Sequence, residues 1–370
     1  MWANFRRWKW VCLLSSLQLT VLGLLIMALL VIGGTILQAD KGIYAAQREV
    51  FQSWVFWLFG LIPMPGMLLV GALLFVNLLA ALLLRLRFSW SGLGLVLVHV
   101  GMLVLLGGGF ISSNQSREYF MTLGEGESSR MASAAREWEL AVWIESGGNR
   151  QVQAVDIADL RPGRPWSVPG FGLELTVERF LANCRSLAGA APGETVLEVA
   201  PANADPAENV PGAVLNLRGP QGRTERFSLQ AGDEAPVVQR WSGRDVHFSL
   251  RLQRIILPLR LTLLDFTRTV HPGTDLPRSF TSRVEIEGDG LRREALIAMN
   301  RPLRFRGYTF YQSSYGEDAQ GGASSTFAVV RNAGRWLPYV SSAMIFFGLL
   351  WHFAAQLISA KKKSLPEAKP

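Results

Sequence analysis

The run Gly92–Ile111, GLGLVLVHVGMLVLLGGGFI, holds no fixed charge. At ~1.5 Å per residue it reaches across the ~30 Å hydrocarbon core of a bilayer as one helix. One residue in it is foreign to oil: His99. A buried polar ring without a partner is costly, so a histidine here needs either a partner or a task. Counted from Gly92 it lies ~10 Å deep, beyond the reach of snorkelling. Gly94, Gly101 and Gly108 recur at seven-residue intervals and form a smooth stripe on which another helix can pack. That stripe points well away from the imidazole. Two readings of His99 stay open, a hydrogen bond to a neighbouring helix and a ligand.

Three further runs are nearly free of charge: 11–37, 66–84 and 336–358. Residues 112–335 between the third and fourth read as a water-soluble domain, long enough for its own core. The expected fold class is therefore an integral membrane protein of four transmembrane helices with a large β-rich extracytoplasmic domain. Residues 1–111 form the N-terminal membrane region, 112–335 the outer domain, and 336–370 the last span with a basic cytoplasmic tail. The opening run does not read as a cleaved signal peptide, being too long for an apolar h-region and followed by no small-residue cleavage site.

The 370-residue chain carries a net charge of +8, which would suit a nucleic-acid binder, but its placement argues against one. Arg6, Arg7 and Lys9 precede the first span, Arg85 and Arg87 separate the second from the third, and Lys361–Lys363 follow the fourth. With four spans these clusters share one side, and the positive-inside rule makes it the cytoplasm. The lipid bilayer is the expected partner and nucleic acid is not. The expected location is the bacterial cytoplasmic membrane, with both termini inside. The two cysteines, Cys12 and Cys184, fall in different regions and make no disulfide framework or metal-site spacing.

Segment 40–65 is too short for a domain. Its stretch Val50–Leu61, with Trp54 and Trp57 before Pro63 and Pro65, suggests an interfacial helix at the headgroups. Spans two and three, joined by Arg85–Ser91, should pair antiparallel. In 112–335, alternation marks strands at Glu118–Leu123, Trp138–Glu145, Gly172–Phe180, Ala213–Arg218, Arg223–Gln230, Val246–Gln253, Ile255–Arg268, Ser279–Glu287, Arg292–Ala298 and Gly307–Ser314. Ala188–Gly212, rich in Ala, Pro, Gly, Asn and Asp, suggests a long surface loop between two β-rich halves. The natural class is an antiparallel sandwich or barrel. His352 near the end of the last span can reach water, and His247 and His271 are expected at the surface.

Before the last span the chain reads Asn300-Arg301-Pro302-Leu303-Arg304-Phe305-Arg306-Gly307-Tyr308-Thr309-Phe310-Tyr311-Gln312-Ser313-Ser314-Tyr315. Pro302 would end a strand, Gly307 permit a turn, and alternation resume at Tyr308, with Tyr308, Phe310 and Gln312 on one face. The pattern resembles the ResB/CcsB family of cytochrome c biogenesis, part of the System II machinery. The resemblance rests on this stretch, on Leu257-Pro258-Leu259 through Leu264-Asp265-Phe266, and on the histidine–glycine helix around His99. Three N-terminal spans, an outer domain and a C-terminal span complete it, while residues 125–240 carry no signature.

The resemblance implies a membrane subunit working with a ResC/CcsA-type partner to handle haem and support its attachment to apocytochrome c. It implies that His99 is an axial ligand to the iron of haem b, with the opposite ligand on the partner. Neutral imidazole suits that role. Asn300, Pro302, Gly307, Tyr308, Phe310, Tyr311, Gln312, Ser313, Ser314 and Tyr315 are expected to be structural. No catalytic residue is assigned. A subunit of a haem lyase contributes mostly positioning. The alternative is a non-catalytic scaffold or apocytochrome chaperone, with every haem ligand on the partner. A b-type electron-transfer subunit would need a second matching intramembrane histidine, which the sequence lacks.

Overall fold

The computed structural model describes residues 9–58, 60–86, 88–188, 195–203, 208–219, 222–233, 235–317 and 322–364. It divides into two compact units, 1–116 with 332–370, and 117–331. Of the basic residues flanking the spans, Arg6, Arg7 and Arg87 lie outside the described residues.

The first unit is helical: α1 (Lys9–Leu14), α2 (Leu17–Lys41), α3 (Ile43–Ala46), α4 (Met67–Leu84), α5 (Leu93–Gln115) and α6 (Leu337–Ser364). Four of these, α2, α4, α5 and α6, are long and apolar enough to cross a membrane. The chain is thus built as a multi-pass membrane protein, with a β-rich domain between its third and fourth spans.

Two expectations need correction here. The first span begins at Leu17 rather than Val11, because the helix breaks at Ser15–Ser16. The Ser16 hydroxyl accepts from Leu19 N as the N-cap of α2. The segment read as an interfacial helix is instead a π-helical turn (Gln47–Phe51) followed by a hairpin of β1 (Val55–Leu58) and β2 (Ile62–Pro65). Val55, Phe56 and Trp57 favour extended backbone, and Pro63 and Pro65 cannot donate in a helix.

In the second unit every described strand pair is antiparallel. The strands are β3 (Arg117–Gly124), β4 (Ser128–Ser146), β5 (Asn149–Asp156), β6 (Pro165–Val168), β7 (Leu173–Leu181), β8 (Cys184–Ala188), β9 (Thr195–Val199), β10 (Gly212–Arg218), β11 (Thr224–Gln230), β12 (Val237–Trp241), β13 (Arg244–Val270), β14 (Pro277–Gly288), β15 (Leu291–Ala298), β16 (Leu303–Phe305), β17 (Tyr308–Glu317) and β18 (Ala323–Arg331). A ten-stranded sheet runs β15-β14-β13-β4-β3-β18-β17-β16, with β12 on β13 and β5 on β4. A four-stranded sheet, β11-β10-β7-β6, shares no ladder with it.

The domain holds two cores. One gathers Leu140, Val142, Leu175, Leu215, Phe248 and Leu250. The other gathers Leu123, Leu259, Leu261, Ile286, Phe310 and Phe327. The stretch 188–212 is not loop throughout, as composition suggested, since it holds β9, which pairs with β8 just before it. The two halves share β4 and β13. β13 is one strand where two were expected, kept continuous by register shifts between Leu252 and Arg254 and between Ile256 and Leu261 against β4.

Candidate functional site

His99 is the seventh residue of α5 and is half-buried. Its Nδ1 lies 2.8 Å from the carbonyl oxygen of Leu95, one turn back in the same helix. A carbonyl only accepts, so Nδ1 is the donor of this bond, and whenever the ring is neutral its lone pair is on Nε2. Among the described residues the ring makes no hydrogen bond to another helix. The first of the two open readings, a bond to a neighbouring helix, has no counterpart here.

The glycine stripe does pack as a helix interface. A Cβ on Gly94 would lie 2.6 Å from both Gly348 O and His352 N, one on Gly101 2.8 Å from Ile345 Cγ1, and one on Gly108 2.7 Å from Leu337 Cβ. All of these contacts are on α6. At ~100° per residue His99 stands roughly opposite them, and Leu106, Phe110 and Ser113 fall within about 40° of its direction. These three residues line an apolar cavity of about 510 Å³ between α4 and α5, which also touches Trp54, Met67 and Phe75. One face of α5 is therefore used for close packing. The other carries the imidazole and, further along, an apolar groove.

His352 is engaged locally, its Nε2 2.9 Å from the Gln356 amide nitrogen. The hydrogen bonds of two other polar residues inside the membrane unit escaped sequence reasoning. Asn77, 2% exposed, donates to Leu14 O at 2.7 Å and Ser16 O at 3.1 Å, and accepts from Thr20 Oγ1 at 2.6 Å. Arg85 Nε donates to Ser15 Oγ at 3.0 Å. With the bond of 3.3 Å from Arg85 Nη2 to Cys12 O, they supply donors to the backbone carbonyls around the break between α1 and α2. A lone amide in the apolar run of α4 was the available signal.

The motif residues 300–315 belong to the β domain and are structural in their contacts. Asn300 has φ +63°, and Ala298 and Arg301 bond across this turn. Pro302 therefore stands just before β16 rather than closing β15, which ends at Ala298, correcting the expectation drawn from the sequence. Arg306 and Gly307, at φ +48° and +83°, form the two-residue turn between Phe305 and Tyr308, a geometry that needs positive φ at both positions. Phe310 is fully buried. Gln312 accepts from Ser282 Oγ at 2.7 Å and donates to Ser325 Oγ at 2.8 Å, and both serines are wholly buried.

Ser313 sits at a bulge between Gln312 and Ser314, and the Ser314 carbonyl accepts from Gln312 Nε2 at 3.2 Å. Tyr315 packs against Phe266 and Phe280, at 5.8 and 5.0 Å. Tyr308 lies under the Arg331 guanidinium at 5.7 Å, while Tyr311 is 43% exposed. No group of three or more His, Cys, Asp or Glu that could hold a metal ion occurs among the described residues. A single imidazole suits an iron already held by a macrocycle, not a bare ion.

The ResB-like family model matches residues 87–328, which takes in α5 with His99 and all but the end of the β domain. The chain is also similar to Protein NrfI of Wolinella succinogenes, with 33% identity over 102 residues. That match covers 27% of this chain and 11% of the relative, so the chain spans only a small part of the curated protein it matches.

Proposed function

The chain belongs to the ResB-like family, and from that premise we propose that it is a membrane subunit of the System II machinery of cytochrome c maturation. In this reading it acts with a ResC/CcsA-type membrane partner to handle haem and to support its covalent attachment to apocytochrome c. It sits in the bacterial cytoplasmic membrane with both termini inside and residues 112–335 on the outer side.

One observation carries the ligand assignment. The Nδ1–H of His99 is spent on the Leu95 carbonyl, which fixes the tautomer and leaves Nε2 to donate to iron, as in metal-bound histidines whose other ring nitrogen is anchored. The residues fit haem b: an aimed imidazole, and on the same face of α5 an apolar groove able to shelter part of a flat apolar ring. Haem, when bound, would supply an iron able to take the His99 imidazole as a ligand and a porphyrin to be joined to cysteine thiols. His99 offers one ligand, so the second belongs to the partner. The β domain's share is positioning of the client.

The test is a pyridine haemochrome measurement on the detergent-purified complex with the partner. His99→Ala should lower the haem content several-fold. Unchanged haem would end the ligand assignment. His99→Gln separates ligation from mere hydrogen bonding, because an amide still bonds Leu95 O but ligates iron poorly. Cytochrome c maturation retained in His99→Gln would favour the scaffold reading, with all ligands on the partner.

A further inference from the structure

The chain enters α6 through Asn332-Ala333-Gly334-Arg335-Trp336, and hydrogen bonds fix the shape of this turn. Gly334 N donates to Asn332 Oδ1 at 2.8 Å, and Gly334 O accepts from Leu337 N at 3.0 Å. Gly334 also lies so close to the last turn of α5 that a Cβ there would collide with Ser112 Oγ. The backbone at Arg335 is thereby held in place, two residues ahead of Leu337, where the apolar span begins. A residue so near the end of a span stands at the level of the lipid headgroups.

The Arg335 side chain is half-buried, and its guanidinium packs over the Trp336 ring at 5.2 Å from the centroid. Nη1 is closed off without a hydrogen-bond partner. Among the described residues the group makes no ion pair, and the chain carries no Asp or Glu over 319–366. Trp336 and Tyr339, neighbours on the first turn of α6, are 62% and 65% exposed, with their rings 5.9 Å apart. Such amphipathic rings favour the boundary between headgroups and acyl chains. A cation without a counterion is thus fixed beside an aromatic wall that the protein leaves uncovered.

We propose that Arg335, Trp336 and Tyr339 form a site for an anionic phospholipid, its phosphodiester on the guanidinium and its glycerol and upper acyl chains along the two rings. Charge complementarity selects this occupant. The planar fork of a guanidinium matches two phosphate oxygens, and the phosphodiester is the anion of the headgroup layer. A zwitterionic headgroup brings its own ammonium to compete for that phosphate, so lipids with net negative charge are favoured. Free phosphate shares the oxygen chemistry but has no chains to lay on the rings. The inference needs only that α6 crosses the membrane and is independent of the haem reading.

Native mass spectrometry of the full chain in detergent tests it with three probes: phosphatidylglycerol, phosphatidylcholine and inorganic phosphate. Phosphatidylglycerol should be retained several-fold more tightly than phosphatidylcholine, and its addition should raise the midpoint of thermal unfolding. Arg335→Gln should remove one bound phosphatidylglycerol per chain and shrink that rise, while the midpoint without lipid stays unmoved. Arg335→Lys should keep part of the preference, since it retains the charge but not the fork. The proposal is overturned if the two lipids are retained equally, if Arg335→Gln leaves the retention of phosphatidylglycerol unchanged, or if inorganic phosphate binds as tightly as the lipid.

Discussion

Asn77 shows how one side chain decides where a span begins. Its amide donates to the carbonyls of Leu14 and Ser16 on either side of the helix break, and its oxygen receives the Thr20 hydroxyl. Asn77→Leu keeps much of the volume but takes away the donor to the Leu14 carbonyl, while Ser16 O keeps Thr20, and a buried polar group left unpaired costs about 1–3 kcal/mol. A clear fall in the midpoint of thermal unfolding in detergent should follow, and an unchanged midpoint would mean that lipid or water replaces the amide at no cost. In the β domain, Cys184 is 2% exposed and burial pushes its thiol above the usual range, with Asp233 adding to the effect. The raised value means that the folded state keeps the proton longer than the unfolded chain. This contribution is therefore intact below the unfolded thiol's pKa of ~8.5 and is lost as pH rises through the folded value. Alkylation of Cys184 at pH 8 should accordingly be slow in the native chain and rapid in denaturant. Fast native labelling would contradict the burial.

At the scale of elements, the α5–α6 pair turns on glycine. Gly94 and Gly348 face each other so closely that a Cβ on either would meet the other's carbonyl oxygen at 2.6 and 2.8 Å. Backbone cannot yield as a flexible side chain can, so Gly94→Leu should force the helices apart at a cost of about 1–3 kcal/mol or more. Gly109→Leu, on the same helix with nothing within 4 Å, should be tolerated. Melting both variants in detergent separates packing from mere helix propensity, and equal losses would refute the interface. That α5 carries a close-packing face was legible in the sequence, from the seven-residue spacing of its glycines, but that α6 is the helix seated on it was not. The hairpin β1–β2 was not legible, since aromatic and aliphatic residues before two prolines serve an interfacial helix and a short hairpin alike. His247 was expected at the surface. Its stacking on Trp143 depends on the register of β4 against β13, a long-range pairing with no local trace.

For the whole molecule, the spans were readable because twenty apolar residues are a strong, local signal. The strand order was not, because register and sheet membership are fixed by contacts between distant segments. β4 and β13 are the clearest case. Their two ends build different cores, one with β7 and β10, the other with β14, β17 and β18. A strand common to two cores cannot keep half its ladder when the other half melts without exposing paired backbone and apolar surface. The β domain should therefore unfold as one cooperative unit rather than as two lobes. Since both cores draw only on 117–331, that segment expressed alone should fold, giving a β-type circular dichroism spectrum and one thermal transition. Leu259→Ala, in one core, and Leu215→Ala, in the other, are both fully buried and should each lose about 2–5 kcal/mol, shifting that single transition as a whole. Two separable transitions, with each substitution moving only one, would show that the long strands do not couple the lobes.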